Sequence, residues 1–197
     1  MKNRAIHSQL DKELRINQGL LTGLRGAAQE FYAKPKDAEK AKEALAALQE
    51  CRNRLEKLRL DTERILRSTK GITQHTAKAA DRTSLFGMRG NLSGHTRKFL
   101  DEIDYHLGRT KAAIDLVKSM NSKPGETLKS ALELIDDVST AIKKWDGGSG
   151  NGHVGVPGWN APSGPAPADP VQAASLALVL VATLISKWMD RKARTGK

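Results

Sequence analysis

The sequence predicts an all-α protein, and three observations support that prediction. Apolar residues recur at alternating spacings of four and three along four segments, which is the period of a helix that buries one face. Only 4% of the 197 residues are aromatic, a composition more typical of long helices than of a sheet-rich core. Proline and glycine interrupt the pattern where one helix would have to reverse into the next. We therefore expect an elongated antiparallel bundle or coiled coil of two helical hairpins, with a tethered apolar helix at the C-terminus.

The first predicted helix lies within residues 5–32. Its apolar stripe runs from Ile6 to Phe31, with Asn17 in one gap, where the amide would either fix the register or face solvent. Pro35 then interrupts the helix because proline lacks an amide hydrogen and restricts the preceding residue. The short connection predicts an antiparallel partner.

The second predicted helix, residues 37–70, has the clearest pattern in the chain. Cys51 lies on its apolar face, where a thiol is more often a small core residue than a reactive group. As the only cysteine, it has no partner for an intrachain disulfide. The opposite face consists mostly of charged residues, which predicts a solvated surface with ion pairs one turn apart; the alternative is a nucleic-acid-binding stripe.

Residues 71–95 are expected to form a basic, glycine-rich loop or hinge. The run SLFGMRGNLSGH contains Gly87, Gly90 and Gly94, which are unfavourable inside a helix. Such a segment is usually a long connection that folds back on its own bundle. The alternative is a surface that contacts lipid or nucleic acid.

The second hairpin is predicted from two further stripes. One begins near Ser93 and ends near Val117, and the other runs from Leu128 to Trp145. The turn NSKPGE at 121–126 separates them. Together these segments define a helical domain over residues 1–146.

Residues 147–169 are predicted to be a flexible linker, because glycine, proline, serine and asparagine dominate without any period. The linker contains a formal GxGxxG at Gly150, Gly152 and Gly155. A dinucleotide site requires a strand before this motif and a helix after it; here a predicted helix precedes it and Pro157 follows. The motif therefore does not predict a cofactor site.

Residues 170–197 form the most distinctive segment. From 170 to 186 there is no charged residue, and as a helix this stretch would rise about 25 Å, near the lower limit for crossing a bilayer. Trp188 and a basic cluster follow, which is the order expected at the end of a membrane helix. The alternative is a buried helix of a soluble assembly, docked on the bundle through the linker.

The predicted C-terminal helix has two faces. At 100° per residue, a polar stripe would contain Gln172, Ser175, Thr183 and Ser186. Small and hydroxyl residues on one face are where membrane helices meet one another. The opposite side would contain Leu178, Leu180, Val181, Leu184, Ile185 and Trp188.

The charge distribution suggests a polyanionic partner. The formal net charge is +11, and the positive excess lies in the first half and at the C-terminal end, which favours nucleic acid or an anionic membrane. The residues expected to contact such a partner are Arg82, Arg89, Arg97, Lys98, Lys187, Arg191, Lys192 and Arg194.

No sequence pattern indicates catalysis, a metal or another cofactor. The five histidines are scattered, and Glu102 and His106, one turn apart, have no matching pair elsewhere. The charged N-terminus has no apolar core of the kind found in export signals, so we expect cytoplasmic synthesis without a signal peptide.

These features lead to two functional hypotheses. The favoured one is a non-enzymatic, homo-oligomeric structural protein whose tethered helix anchors to or enters a membrane, in the manner of a virion or ejection component, a translocator or a scaffold. It would be membrane-associated or part of a larger particle, without a small-molecule substrate. The alternative is a basic nucleic-acid-binding or packaging protein in which the apolar helix serves as an oligomerisation core.

Overall fold

A computed structural model describes residues 19–75, 82–145 and 166–195 of the chain. Within those ranges the protein is all-α and contains no strand, which confirms the predicted fold class. The helices are α1 (19–33), α2 (Ala38–His75), α3 (Arg82–Ser119), α4 (Pro124–Trp145) and α5 (Pro170–Thr195). The predicted start of the first helix, 5–18, and most of the predicted linker, 147–165, lie outside the described residues.

The glycine-rich segment is more helical than its composition suggests. α2 continues to His75, and α3 begins at Arg82 and runs through Gly87, Gly90 and Gly94. The expectation of a loop is therefore wrong for 71–75 and 82–95, whereas 76–81 lie outside the described residues. A glycine costs about 1 kcal/mol relative to alanine inside a helix. Propagation of the helix from its regular portion nevertheless adds one hydrogen bond for each residue fixed, and this offsets isolated glycines.

Aspartate side chains cap two of the helices. Asp37 Oδ1 accepts a hydrogen bond from the backbone N–H of Glu39 at 2.9 Å, ahead of α2. Asp169 Oδ1 likewise accepts from the N–H of Val171 at 2.8 Å, ahead of α5. Pro170 is the first residue of α5, a position where proline has no amide hydrogen to leave unsatisfied. The dipeptide Asp-Pro therefore fixes where the apolar helix begins.

Replacing Asp169 by alanine should lower the free energy of unfolding by about 1 kcal/mol, because the N–H of Val171 then loses its acceptor. Urea denaturation followed by circular dichroism measures this change. Asp169→Asn, which retains an acceptor oxygen, should recover most of the loss; an alanine variant as stable as the wild type would contradict the capping role.

All five helices contribute side chains to one hydrophobic core. α2 packs mainly on α3 and α4 mainly on α5, while α3 also contacts α4 and α5. The two helices of the predicted second hairpin, α3 and α4, therefore do touch. However, α4 contacts the C-terminal helix more extensively than it contacts α3. The apolar helix is thus part of the protein's own packing.

α5 is buried around its whole circumference, which distinguishes it from α2. From Ala173 to Ser186 each residue of α5 is buried except Leu176, which is partly buried. α2 instead buries a single stripe that includes Ala44, Leu48 and Leu55. A helix that is apolar over most of its circumference needs an apolar environment on most of its sides, and the rest of the protein provides it.

Two buried threonines have their hydroxyl groups satisfied by their own helices. Thr62 Oγ1 donates to the carbonyl of Leu58 at 2.7 Å, and Thr110 Oγ1 donates to that of His106 at 2.8 Å. Because each bond is local, these threonines occupy core positions without requiring a polar group on a neighbouring helix.

The charged face of α2 carries ion pairs one turn apart, as the sequence predicts. Arg54 Nε lies 3.1 Å from Glu50 Oε1, and Arg59 Nη1 lies 2.8 Å from Glu63 Oε1. Arg59 also reaches Asp104 of α3, at 2.6 Å. Exposed pairs of this kind contribute little stability individually, so they describe a solvated surface.

Cys51 is buried on the apolar face of α2, which confirms its predicted position. Burial, with a smaller contribution from Glu50, raises the pKa of its thiol to about 12. The reactive thiolate is therefore scarce at neutral pH.

The folded protein should react with a maleimide at Cys51 at least about a hundredfold more slowly than the urea-unfolded chain. Mass spectrometry measures the labelling rates. Comparable rates for the folded and the urea-unfolded chain would show that this part of the core opens readily.

Candidate functional site: the docked apolar helix

Among the described residues, one helix is long and apolar enough to cross a bilayer by length and composition. It covers Pro170–Arg191 of α5, with a mean hydropathy of 1.6. In the most apolar part of this segment, 78% of the residues are buried inside the protein. Core helices of soluble proteins meet the same criteria.

Trp188 joins the C-terminal part of α5 to α3. Its indole Nε1 donates a hydrogen bond to Glu102 Oε2 at 2.9 Å. Its ring stacks on Phe99, with centroids 5.7 Å apart, and lies 4.4 Å from the ring of His106. We call Trp188, Phe99, Glu102 and His106 the Trp188 latch. Trp188 is only 1% exposed, so the latch joins a buried aromatic ring to a carboxylate.

His106 is enclosed at this junction. Its side chain has no exposed surface, and burial lowers the pKa of its imidazole to about 3. The ring is therefore neutral at physiological pH. Tyr105, the adjacent residue, contacts its edge and donates a hydrogen bond to Asp137 of α4 at 3.3 Å.

Sequence reasoning did not connect these residues. The sequence places Glu102 and His106 one turn apart, and it predicts Trp188 at a membrane interface. The structure brings them together although Glu102 and Trp188 are 86 residues apart. The available signal was the Glu102–His106 pair, whose members directly precede the apolar residues Ile103 and Leu107 and have no matching pair elsewhere in the sequence.

The polar stripe of α5 faces the interior. Ser175, Thr183 and Ser186 are buried and Gln172 is partly buried. Ser175 Oγ donates to the carbonyl of Gln172 and Thr183 Oγ1 to that of Val179, both at 2.8 Å. The Ser186 hydroxyl has no hydrogen-bond partner within the described part of the chain.

The stripe lies partly against α1. Thr183, with Val179 and Ala182, lines a narrow crevice whose other wall is formed by Arg25, Ala28 and Gln29. The predicted opposite face is buried as well: Leu178, Leu180, Val181, Leu184, Ile185 and Trp188 are each less than 5% exposed. Both faces of α5 therefore have partners within the same chain.

The predicted polyanion-contacting residues are only partly brought together. Arg97 and Lys98 are exposed and directly precede Phe99, so they lie near the C-terminal part of α5. There, Arg191 is exposed and Lys187 is partly buried. Arg82, Arg89, Lys192 and Arg194 belong to helices, but their side chains lie outside the described structure.

A second candidate site is a crevice of about 290 Å³ between α3 and α4. Its polar lining includes Asp115, Ser119 and Thr127, and the two hydroxyl groups lie 2.8 Å apart. In the ranges that the structure describes, no three His, Cys, Asp or Glu side chains are grouped to hold a metal ion. The crevice therefore lacks the convergent ligands of a metal site.

Comparison with known proteins finds no matching family model, no similar curated protein and no matching solved structure.

Proposed function

We propose that the chain is a non-enzymatic structural protein that holds an apolar helix within its own core and transfers it to a membrane. The supporting observation is that α5 has the length and composition of a membrane span and is buried on all sides within the helices that carry it. An ordinary bundle helix needs only one apolar face. α5 is apolar over most of its circumference and carries no charged residue from 170 to 186, as a bilayer requires of a spanning helix.

The two locations of α5 are comparable in apolar burial. Both the protein core and the hydrocarbon of a bilayer remove its leucine, valine and isoleucine side chains from water. The equilibrium between docked and membrane-bound α5 is therefore set by interactions that α5 makes in only one of the two locations. The hydrogen bond from Trp188 to Glu102 is such an interaction, because it exists only while α5 is docked on α3.

The hydroxyl groups of α5 suit both locations. Ser175 and Thr183 already bond to carbonyls of their own helix and carry these bonds with them. In a bilayer, the polar stripe of α5, which includes Ser186, would be the surface through which copies of α5 contact one another. Self-association, the predicted oligomeric property, would then take place through this stripe. The basic residues after Trp188 would interact with anionic headgroups.

Weakening the latch should increase membrane binding. In flotation assays with phosphatidylglycerol-containing vesicles, we expect Glu102→Ala to float more than the wild-type chain, because the indole N–H of Trp188 loses its acceptor. Asp101→Ala is the matched control: it removes a neighbouring, exposed carboxylate without altering the latch. Binding that involves apolar insertion should persist in 1 M salt.

Failure of wild-type, Glu102→Ala and Asp101→Ala chains to float would overturn the proposal. Binding that disappears in high salt and is replaced by salt-dependent binding to DNA or RNA would instead favour the nucleic-acid alternative.

A further inference from the structure

We propose that the Trp188 latch is acid-sensitive, so that α5 is released from α3 as the pH falls because undocking allows His106 to take up a proton. This inference rests on the proposed function and specifies the condition that controls it. It identifies protonation of a core histidine as the signal that moves α5 from the protein to the membrane.

The geometry places His106 directly against Trp188 of the docked α5. The imidazole belongs to α3, but its ring centroid lies 4.4 Å from that of Trp188 of α5, nearer than the 5.5 Å that separates it from Tyr105. The same indole stacks on Phe99 and bonds to Glu102, so the movement of one side chain opens the whole latch. Departure of α5 removes that cover from His106 and admits water to the ring.

Several charged groups lie near His106 on α3 or on the helices that contact α3. Glu102, one turn earlier on α3, is engaged by the indole N–H. Arg109, nearly one turn later, lies 2.6 Å from Asp137 of α4. On α2, Arg59 pairs with Asp104 of α3, and on α5 Lys187 and Asp190 flank Trp188. Burial is the cause of the lowered pKa of His106.

The direction of the pH dependence follows from linkage. The docked state holds His106 neutral, with a pKa of about 3, whereas an exposed histidine has a pKa of about 6.5. The undocked state therefore binds one more proton between these values. Docking has its full stability above pH 6.5 and loses stability as the pH falls from 6.5 toward 3. The release equilibrium should increase about tenfold per pH unit in this window, or roughly 30-fold between pH 7.5 and pH 5.

The test is vesicle flotation of the full chain between pH 7.5 and pH 5. The wild type should show the acid response, whereas His106→Phe and His106→Asn, which cannot be protonated, should bind with little pH dependence. Glu102→Gln replaces the carboxylate of the latch by a neutral amide and should retain the acid response, although with higher binding at neutral pH. Circular dichroism at pH 7.5 establishes which variants are folded.

A measurement on the wild-type protein provides independent evidence. Without vesicles, the NMR signals of His106 should show no protonation at pH 5 while the latch is closed. Protonation of His106 near pH 6.5 in the docked protein would overturn the proposal, as would an acid response that persists in both His106 variants. If membrane binding occurs but is independent of pH, the latch proposal fails and the proposed function stands; if no binding occurs at any pH, the proposed function itself fails.

Discussion

Replacing Leu184 by lysine should abolish cooperative folding, whereas the same replacement at Leu60 should change the free energy of unfolding by no more than about 0.5 kcal/mol. Leu184 has no exposed surface, but Leu60 of α2 is 51% exposed. A lysine at 184 would place an unpaired charge among apolar side chains, at a cost of several kcal/mol. That cost is comparable to the total stability of an ordinary domain, about 5–15 kcal/mol.

Urea titration monitored by circular dichroism, together with size-exclusion chromatography, tests the Leu184→Lys and Leu60→Lys variants. The Leu60→Lys chain should show one cooperative transition near the wild-type midpoint. A cooperative, equally stable Leu184→Lys chain would contradict the burial of α5.

Replacing Trp188 by alanine should reduce the free energy of unfolding by about 3–5 kcal/mol, the usual cost of truncating a large buried aromatic residue. The change removes the stacking on Phe99 and the contact with His106, and it leaves Glu102 without its indole donor. Trp188→Phe is the matched variant because it retains an aromatic ring but cannot donate the hydrogen bond. It should cost about 1.5–3 kcal/mol, the range for a hydrogen bond to a charged group.

Equilibrium urea denaturation of both variants separates packing from hydrogen bonding. An alanine variant within about 1 kcal/mol of the wild type would show that Trp188 does not hold α5 on α3. A phenylalanine variant as destabilised as the alanine variant would assign the latch to its hydrogen bond alone.

The local features of the fold could be predicted from the sequence because they depend on nearby residues. The apolar face of α2, including Cys51 and Thr62, follows from helical periodicity, and the ion pairs on its outer face follow from charges one turn apart. The start of the C-terminal helix was also predictable, since Asp169 and Pro170 form an N-terminal capping pair.

The glycine-rich segment shows the limit of local propensity. Gly87, Gly90 and Gly94 each disfavour a helix, and a loop was therefore expected. α3 nevertheless includes all three, because helix formation is cooperative along the chain and is not decided residue by residue.

The candidate site depends on long-range packing, which periodicity does not reveal. The sequence identified α5 as apolar on most of its surface, but a bilayer and a protein core satisfy that requirement equally. Its position beside α1, α3 and α4 depends on how the helices assemble, as does the hydrogen bond from Trp188 to Glu102. A tryptophan next to a basic cluster therefore resembled a membrane-interface residue, although in the folded protein it is buried.

Fluorescence of Trp188 in the full chain, with Trp145 and Trp159 replaced by phenylalanine, tests most directly whether α5 moves from the protein to a membrane. Without vesicles, Trp188 should be shielded from acrylamide, because it is 1% exposed. With phosphatidylglycerol vesicles, lipids brominated near the headgroup end of their acyl chains should quench its emission, and more strongly in a Glu102→Ala background. Emission that brominated lipids leave unchanged in both backgrounds would show that α5 remains in the protein core and would contradict the proposed transfer.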